Sequence, residues 1–212
     1  VPKARQSLMF SATMPAEIVH LSGEILETPV RVEVSPQATP VERIKQSVYH
    51  VAAAGKVALL AKILDDPALS RVIVFARTKH RANRVAEQLG KRGIAADAIH
   101  GNKSQGARQR ALNRFRAGDA RVLVATDIAA RGIDVDGVTH IINYELPNEP
   151  ESYVHRIGRT ARAGTSGVAF SFCDPAEHGY LRDIERLIRH RLAVIGEEPA
   201  VAPLGGRRNA KK

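Results

Sequence analysis

The sequence predicts an α/β fold, a parallel β-sheet with helices on both faces, from three observations. Short, continuous, largely β-branched runs recur along the chain: VIVFA at 72–76, AADAIH at 95–100, VLVATD at 122–127 and HIINYE at 140–145. Longer amphipathic stretches, KHRANRVAEQLGKRG and QGARQRALNRFRAG, separate the first three. Strands without polar alternation belong to a sheet covered on both sides, and parallel neighbours need a crossover that is usually helical. The third observation is positional. RTK directly follows VIVFA, HGNKSQ follows AADAI, and TDIAARGID follows VLVA. Ligands of open α/β sheets bind beyond the carboxyl ends of the strands, so the coincidence predicts one shared site.

Taken in order, the elements begin with SLMFSATMP at 7–15, a short apolar run ending in a Ser/Thr turn. A helix is expected from about Pro15 to Leu26, with Thr13 as its candidate cap. VRVEV at 30–34 reads as one more strand. SPQATPV at 35–41 carries two prolines and no helical periodicity, which marks a linker. Residues 1–34 are too few to build a core and are expected to be the tail end of a preceding domain. Residues 35–43 then connect that domain to a main domain over 44–195, and 196–212 form a basic, mobile tail. AAAGKVALL around Lys56 imitates a phosphate-binding loop, but His50 stands where a glycine is needed and Val57 where Ser or Thr is needed. Gly55-Lys56 is therefore read as an ordinary helix start.

The net charge is +10 with a pI near 10.2, and Arg207, Arg208, Lys211 and Lys212 supply four of those charges. Such a chain suits a polyanionic partner. Aromatic residues are only 4% with no Trp, so a nucleic acid would be held by its phosphates rather than by stacked bases. Cys173, the only cysteine, lies in the apolar run VAFSFC and reads as a small buried hydrophobe. No disulfide can form within the chain, which fits a reducing, cytoplasmic setting. The eight histidines show no paired ligand spacing, so no metal site is expected. No run approaches transmembrane length, and Val1 opens on a polar stretch without a signal-peptide core.

YVHRIGRTARAG at 153–164 contains the densest cationic pattern. On a helix, Arg156, Arg159 and Arg162 fall within a sector about 120° wide and converge on one target. Their forked donors suit carboxylate or phosphate, and the net charge favours phosphate. A solvated basic face is the plain alternative. Gly158 argues against it, since glycine inside a helix costs about 1 kcal/mol relative to alanine unless a backbone or ligand comes close.

These clusters resemble the DEAD-box RNA helicases, specifically their carboxyl-terminal RecA-like half. SAT (11–13), VFARTK (74–79), the spacing from Gln105 to Arg108, ATDIAARGID (125–134) and HRIGRTARAG (155–164) match the family's later motifs in order. The resemblance spans nearly everything from Ser7 to about Leu192, and the intervening sequence looks most like the bacterial RhlE-type branch. The family's phosphate loop and Asp-Glu-Ala-Asp motif would lie upstream of Val1.

The resemblance implies that Arg159 and Arg162 are arginine fingers for ATP held, with Mg²⁺, mainly on an amino-terminal RecA-like domain. Such fingers are worth about 10³ to 10⁵ in rate. It assigns Asp134 to the ATP ribose, with Gly132 permitting close approach beside it; a turn-capping role for Asp134 is the structural alternative. His155 and Arg156 form an interlobe coupling group with Asp127 and the SAT residues Ser11 and Thr13. RNA phosphates fall to Arg77 or Thr78, to the Gly101 turn, to Arg108 and to Thr126. Helix starts after Gly101 and Asp127 point positive ends at an anion along that edge. For Arg108 the plain alternative is a solvated helix residue among Arg110, Arg114 and Arg116. Ala161 departs from the family, which usually has glycine there, so the backbone at 161 must tolerate a β-carbon. The expected function is half of an ATP-dependent RNA helicase, inactive alone; a standalone RNA-binding or scaffold module is the alternative.

Overall fold

The strands are β1 (Ile44–His50), β2 (Val72–Phe75), β3 (Ala96–Ile99), β4 (Val122–Ala125), β5 (His140–Asn143), β6 (Gly167–Cys173) and β7 (Ala193–Val194). They form one sheet in the order β3-β4-β2-β5-β6-β1-β7 in which every pairing is parallel. The helices are α1 (Ala16–Ile25), α2 (Lys56–Leu64), α3 (Lys79–Gly90), α4 (Gln105–Ala117), α5 (Asp127–Ala130), α6 (Pro150–Ile157) and α7 (His178–Ile188). This computed structural model describes residues 2, 5–11, 14, 16–32, 43–130, 133, 135–161 and 166–196. The chain divides into two compact units, 1–37 and 38–212.

In the second unit the sheet is apolar on both faces. Ile73, Phe75, Leu123, Ala125 and Ile141 point to one side, where α4, α6 and α7 add Phe115, Tyr153, Ile157, Leu181 and Ile184. Val72, Val74, Val122, Val124 and Ile142 point to the other, against Leu60 and Leu64 of α2 and Ala82, Val85 and Leu89 of α3. Helices α3 and α4 thus lie on opposite faces. The chain passes out to the edge strand β3 over one face and returns to β4 over the other. Burial of a Leu, Val or Phe side chain contributes about 1.5–3 kcal/mol, so these two layers are the main support of the sheet.

Local signals set the helix ends. Thr78 caps α3 by accepting the Arg81 N–H at 3.2 Å, and Ser104 caps α4 by accepting the Ala107 N–H at 3.3 Å. Gly118 ends α4 in the left-handed region at φ 87°. Lys56 does begin a helix, with Gly55 at its N-cap. The four runs expected to be strands became β2 to β5. The polar-rich strand β1, IKQSVYH, and the two-residue β7 carry no apolar run or clean alternation, so only their neighbours reveal them.

In the first unit, α1 lies within its expected span, ends one residue before Leu26 and has no buried residue, while Pro15 lies outside the described residues. The strand expected at 30–34 is not seen over Val30–Val32, and residues 33 and 34 lie outside the described residues. A strand exists through its ladder partner, and the described part of this unit contains no other strand. Thr13, the expected cap, lies outside the described residues as well.

Candidate functional site

At the carboxyl edge of the sheet, Ile99, Ala125, Phe75 and Asn143 stand in one row across β3, β4, β2 and β5. The ladder continues one step further: Ala76 N–H donates to Ala125 O at 3.0 Å, Thr126 N–H to Ile99 O at 3.3 Å and Glu145 N–H to Phe75 O at 3.3 Å. Arg77-Thr78, His100-Gly101, Thr126-Asp127 and Glu145 therefore leave the sheet side by side. Sequence reasoning expected one shared site beyond these strands, and the register brings its residues to one edge.

Arg156 sits behind this edge and is 1% exposed. Its guanidinium forks onto Asp127, with Nε donating to Oδ1 at 2.6 Å and Nη2 to Oδ2 at 2.8 Å. Nη1 donates to Glu145 O at 2.7 Å and to Asn143 Oδ1 at 3.2 Å, and the group lies 5.0 Å from the centroid of the Phe75 ring. Arginine suits such a place because its planar fork satisfies a carboxylate with two parallel bonds. The Arg156 side chain is buried but that of Asp127 is 34% exposed, so losing the carboxylate costs less than the roughly 3–5 kcal/mol of a fully buried pair.

The charges continue along the edge. Glu145 Oε2 accepts the Arg77 N–H at 2.9 Å, and its Oε1 is 3.5 Å from Arg81 Nε. The Arg77 guanidinium reaches Glu177 Oε1 at 3.2 Å and Asn148 Oδ1 at 3.2 Å and lies 5.5 Å from the Tyr180 ring centroid. Glu177, 1% exposed, also accepts the Leu146 N–H at 3.1 Å and bonds Lys56, whose Nζ is 3.1 Å from Asp174 Oδ2. Burial raises the Asp174 carboxyl, but the hydrogen bond and charge of Lys56 outweigh it and hold the group below its ordinary value. Asp127, Arg156, Glu145, Arg77, Glu177, Lys56 and Asp174 form one chain of contacts from β4 to α2. Sequence reasoning missed Asn143, Glu145, Glu177 and Lys56. Asn143, Glu145 and Lys56 are single polar residues beside apolar runs and nothing local announces them, whereas Glu177 closes the capping box Asp174-Pro-Ala-Glu177, a local signal that was not used.

The expected single sector of three arginines does not form. Helix α6 ends at Ile157, and Gly158 follows as its C-cap with its N–H on Val154 O at 3.0 Å. Arg156 is drawn inward by Asp127, whereas Arg159 leaves on the following turn, half-buried, donating to His155 O and Ile133 O at 3.3 Å each. Arg162, with Gly132 and Asp134, lies outside the described residues. The turn is pinned by Thr160, 1% exposed, whose hydroxyl donates to the carbonyls of Val138 and Thr139. Ala161 then takes φ 55°, the left-handed region that glycine occupies freely. The β-carbon expected to need tolerance here is tolerated, at a cost of about 1 kcal/mol.

The remaining expected positions follow β2, β3 and β4 along the edge. Thr78 is exposed, and its hydroxyl hydrogen remains available while its oxygen caps α3. Gly101 is exposed in the turn after β3, and a β-carbon there would meet nothing within 4 Å. Neither packing nor a left-handed backbone asks for glycine at 101, so the missing side chain leaves room for something to approach. Arg108, half-buried, sits in the first turn of α4, and Thr126 is buried. Burial, then Lys103, Lys79 and His80, holds the His100 imidazole below its ordinary value, which is how a ring inside a positive field behaves. His155 and Ser11 are exposed.

One further grouping was not legible in the sequence. His50, Cys173 and His178 have ligand atoms all within 4.8 Å of one another. Cys173 is buried as expected, which pushes its thiol up to about 12. No helix among the described residues is long and apolar enough to cross a membrane.

Residues 55–164 match the family described as helicase conserved C-terminal domain. The chain is 46% identical over 192 residues to the DEAD-box ATP-dependent RNA helicase CshA of Geobacillus kaustophilus, covering 91% of this chain and 41% of that protein. It is 45% identical to CshA of Bacillus subtilis, covering 39% of it. The chain thus spans about two fifths of the length of the curated relatives it matches. Among solved structures it is similar to the E. coli DEAD-box protein SrmB bound to RraA, at 39% identity and TM-score 0.70, over 73% of this chain and 91% of that one. It is also similar to S. cerevisiae Dbp5 bound to RNA and ADP BeF3, at 31% identity and TM-score 0.82, over 92% and 52%. These relatives are CshA proteins and do not support the RhlE-type branch expected from the intervening sequence.

Proposed function

The chain belongs to the helicase conserved C-terminal domain family of DEAD-box proteins, and on that premise we propose that it is the carboxyl-terminal half of an ATP-dependent RNA helicase. The observation that carries the reading is the division of labour at one helix end. Arg156 is locked inside by Asp127, and Arg159 is held three residues later on a turn pinned by Thr160. A guanidinium positioned in this way can meet charge that develops on a phosphoryl group across a cleft.

ATP and Mg²⁺ would be held mainly by an amino-terminal RecA-like domain, since no segment of this sequence forms a phosphate loop. Bound ATP supplies the phosphoryl group and its free energy of transfer. From this chain, Arg159 and Arg162 stabilise charge on that group, and Asp134 beside Gly132 accepts from the ribose. Arg156, Asp127 and His155, with Ser11 and Thr13, couple the two lobes. The domain arrangement fits the same reading. Residues 1–34 complete the amino-terminal lobe, 35–43 link the lobes, 44–195 form the second lobe and 196–212 are a basic tail. RNA phosphates meet Thr78, the Gly101 turn, Arg108 and Thr126 along the β2–β4 edge. Arg77, whose guanidinium serves the acidic groups, positions Thr78 for that contact.

The 212-residue chain alone should show no RNA-stimulated ATP turnover. Fused behind the amino-terminal lobe of a CshA relative, it should hydrolyse ATP when RNA is added. Turnover by the pure chain alone would sink the split-site reading. RNA binding with no turnover in the fusion would support a standalone binding module instead.

A further inference from the structure

His50 ends β1, Cys173 ends β6, and the two are direct partners in the parallel register, with Val51 N–H donating to Cys173 O at 3.0 Å. His178 is the first residue of α7 and brings its ring edge-to-face onto His50, with centroids 5.4 Å apart at 88°. Two imidazoles and a thiol from three separate elements thus converge, their ligand atoms within 4.8 Å of one another. We propose that His50, Cys173 and His178 form a binding site for a borderline-soft divalent transition metal such as Zn²⁺, which clamps α7 to the carboxyl ends of β1 and β6.

The donor set fits that ion. Imidazole and thiolate are ligands that Zn²⁺ and Co²⁺ share, and three protein ligands leave a fourth, tetrahedral position for water. In a tetrahedral site with Zn–S near 2.3 Å and Zn–N near 2.0–2.1 Å, ligand atoms lie roughly 3.3–3.8 Å apart. The cluster therefore has to contract by about 1 Å, within the reach of side-chain rotation for the two half-buried histidines. Sequence neighbours Asp174 and Glu177 place carboxylates beside the cluster; both are engaged by Lys56 and Glu177 also by Arg77, so the carboxylates are matched and the donor set is the two imidazoles and the thiol.

The thiol must lose its proton on coordination: Cys–SH and M²⁺ give Cys–S–M⁺ and H⁺, with the proton released to buffer. Burial and the charge of Glu177 hold the free thiol up at about 12, so the metal has to drive that loss, as a coordinating cation does. Without metal, Cys173 instead makes a weak contact to Asp174 O at 3.6 Å. In that state it is the inert buried residue that its sequence setting suggests.

The test uses the reduced, chelator-stripped 212-residue chain. Zn²⁺ is titrated in competition with a chromophoric chelator, and Co²⁺ is followed by its thiolate charge-transfer absorption. One metal per chain, proton release and the cobalt–thiolate band are expected, with a higher melting temperature at stoichiometric Zn²⁺. His178→Gln should weaken binding at least tenfold and remove the thermal shift, and Cys173→Ala should abolish the band. His20→Ala, in the first unit, should change nothing. If Cys173→Ala does not fold, as judged by circular dichroism, His50→Gln and His178→Gln decide the matter. A missing cobalt–thiolate band, or binding indifferent to His178→Gln, overturns the site.

Discussion

The strand edge has a closed half and an open half, and arginine serves opposite ends in the two. In the closed half, from Asp127 through Arg156 to Glu145, each of the three nitrogens of the buried guanidinium donates to a named acceptor within 3.2 Å. In the open half, Thr78 and Gly101 are exposed beside helix N-termini, with Arg108 half-buried in the first turn of α4. Arg159, on the turn after α6, is half-buried and belongs to neither group. The difference lies in desolvation. A charge taken out of water must be matched atom for atom, so it can serve only to hold geometry. A charge left near water keeps its capacity to meet an incoming anion.

The largest effect expected belongs to Arg159. In the fused two-lobe protein, Arg159→Ala should reduce single-turnover hydrolysis by about 10³-fold or more, while nucleotide affinity falls much less. Lysine should rescue poorly, since a point charge lacks the planar fork. Near-normal turnover in the alanine variant would erase the distinction between Arg159 and its buried neighbour.

The closed half is tested next. Asp127→Ala leaves Arg156 buried without its carboxylate, though still bonded to Glu145 O and Asn143, and should cost up to about 3 kcal/mol, read as a lower urea midpoint at unchanged slope. Replacing both members, with Arg156→Met and Asp127→Leu together, should recover much of that loss, because no isolated charge then remains buried. A single-variant loss below about 1 kcal/mol would mean that the pair behaves as a surface ion pair.

Smaller effects sharpen the comparison. Ala161→Gly relieves the left-handed alanine and should stabilise the chain by up to about 1 kcal/mol, less the flexibility that glycine adds to the unfolded state. A destabilised variant would show that packing of the Ala161 methyl outweighs the strain. In the open half, Arg108→Ala should weaken RNA binding equally for unrelated sequences and flatten the slope of log affinity against log salt by about 0.7, the value of one single-strand phosphate. An unchanged slope would return Arg108 to the solvated face of α4.

What was legible in the sequence is what short stretches encode. Continuous apolar runs identify β2 to β5, because strands buried on both faces need no polar alternation. Thr78 and Ser104 act on their own next turns, and the clusters after the strands fall on one edge, because a parallel sheet delivers all its strand ends to one side. The resemblance to a family pointed Arg156 toward Asp127, and the alanine at 161 was legible as a backbone position out of the ordinary. Tertiary structure alone decided the rest. Whether three arginines share one face depended on where α6 stopped and on a carboxylate 29 residues away. Lys56 and Glu177 are 121 residues apart, and their bond exists because β6 and α7 return beside the start of α2. His50, Cys173 and His178 meet for the same reason. Local sequence sets periodicity and caps through interactions a few residues long, whereas a buried charge or a ligand set is completed only by partners that the sheet order brings from elsewhere in the chain.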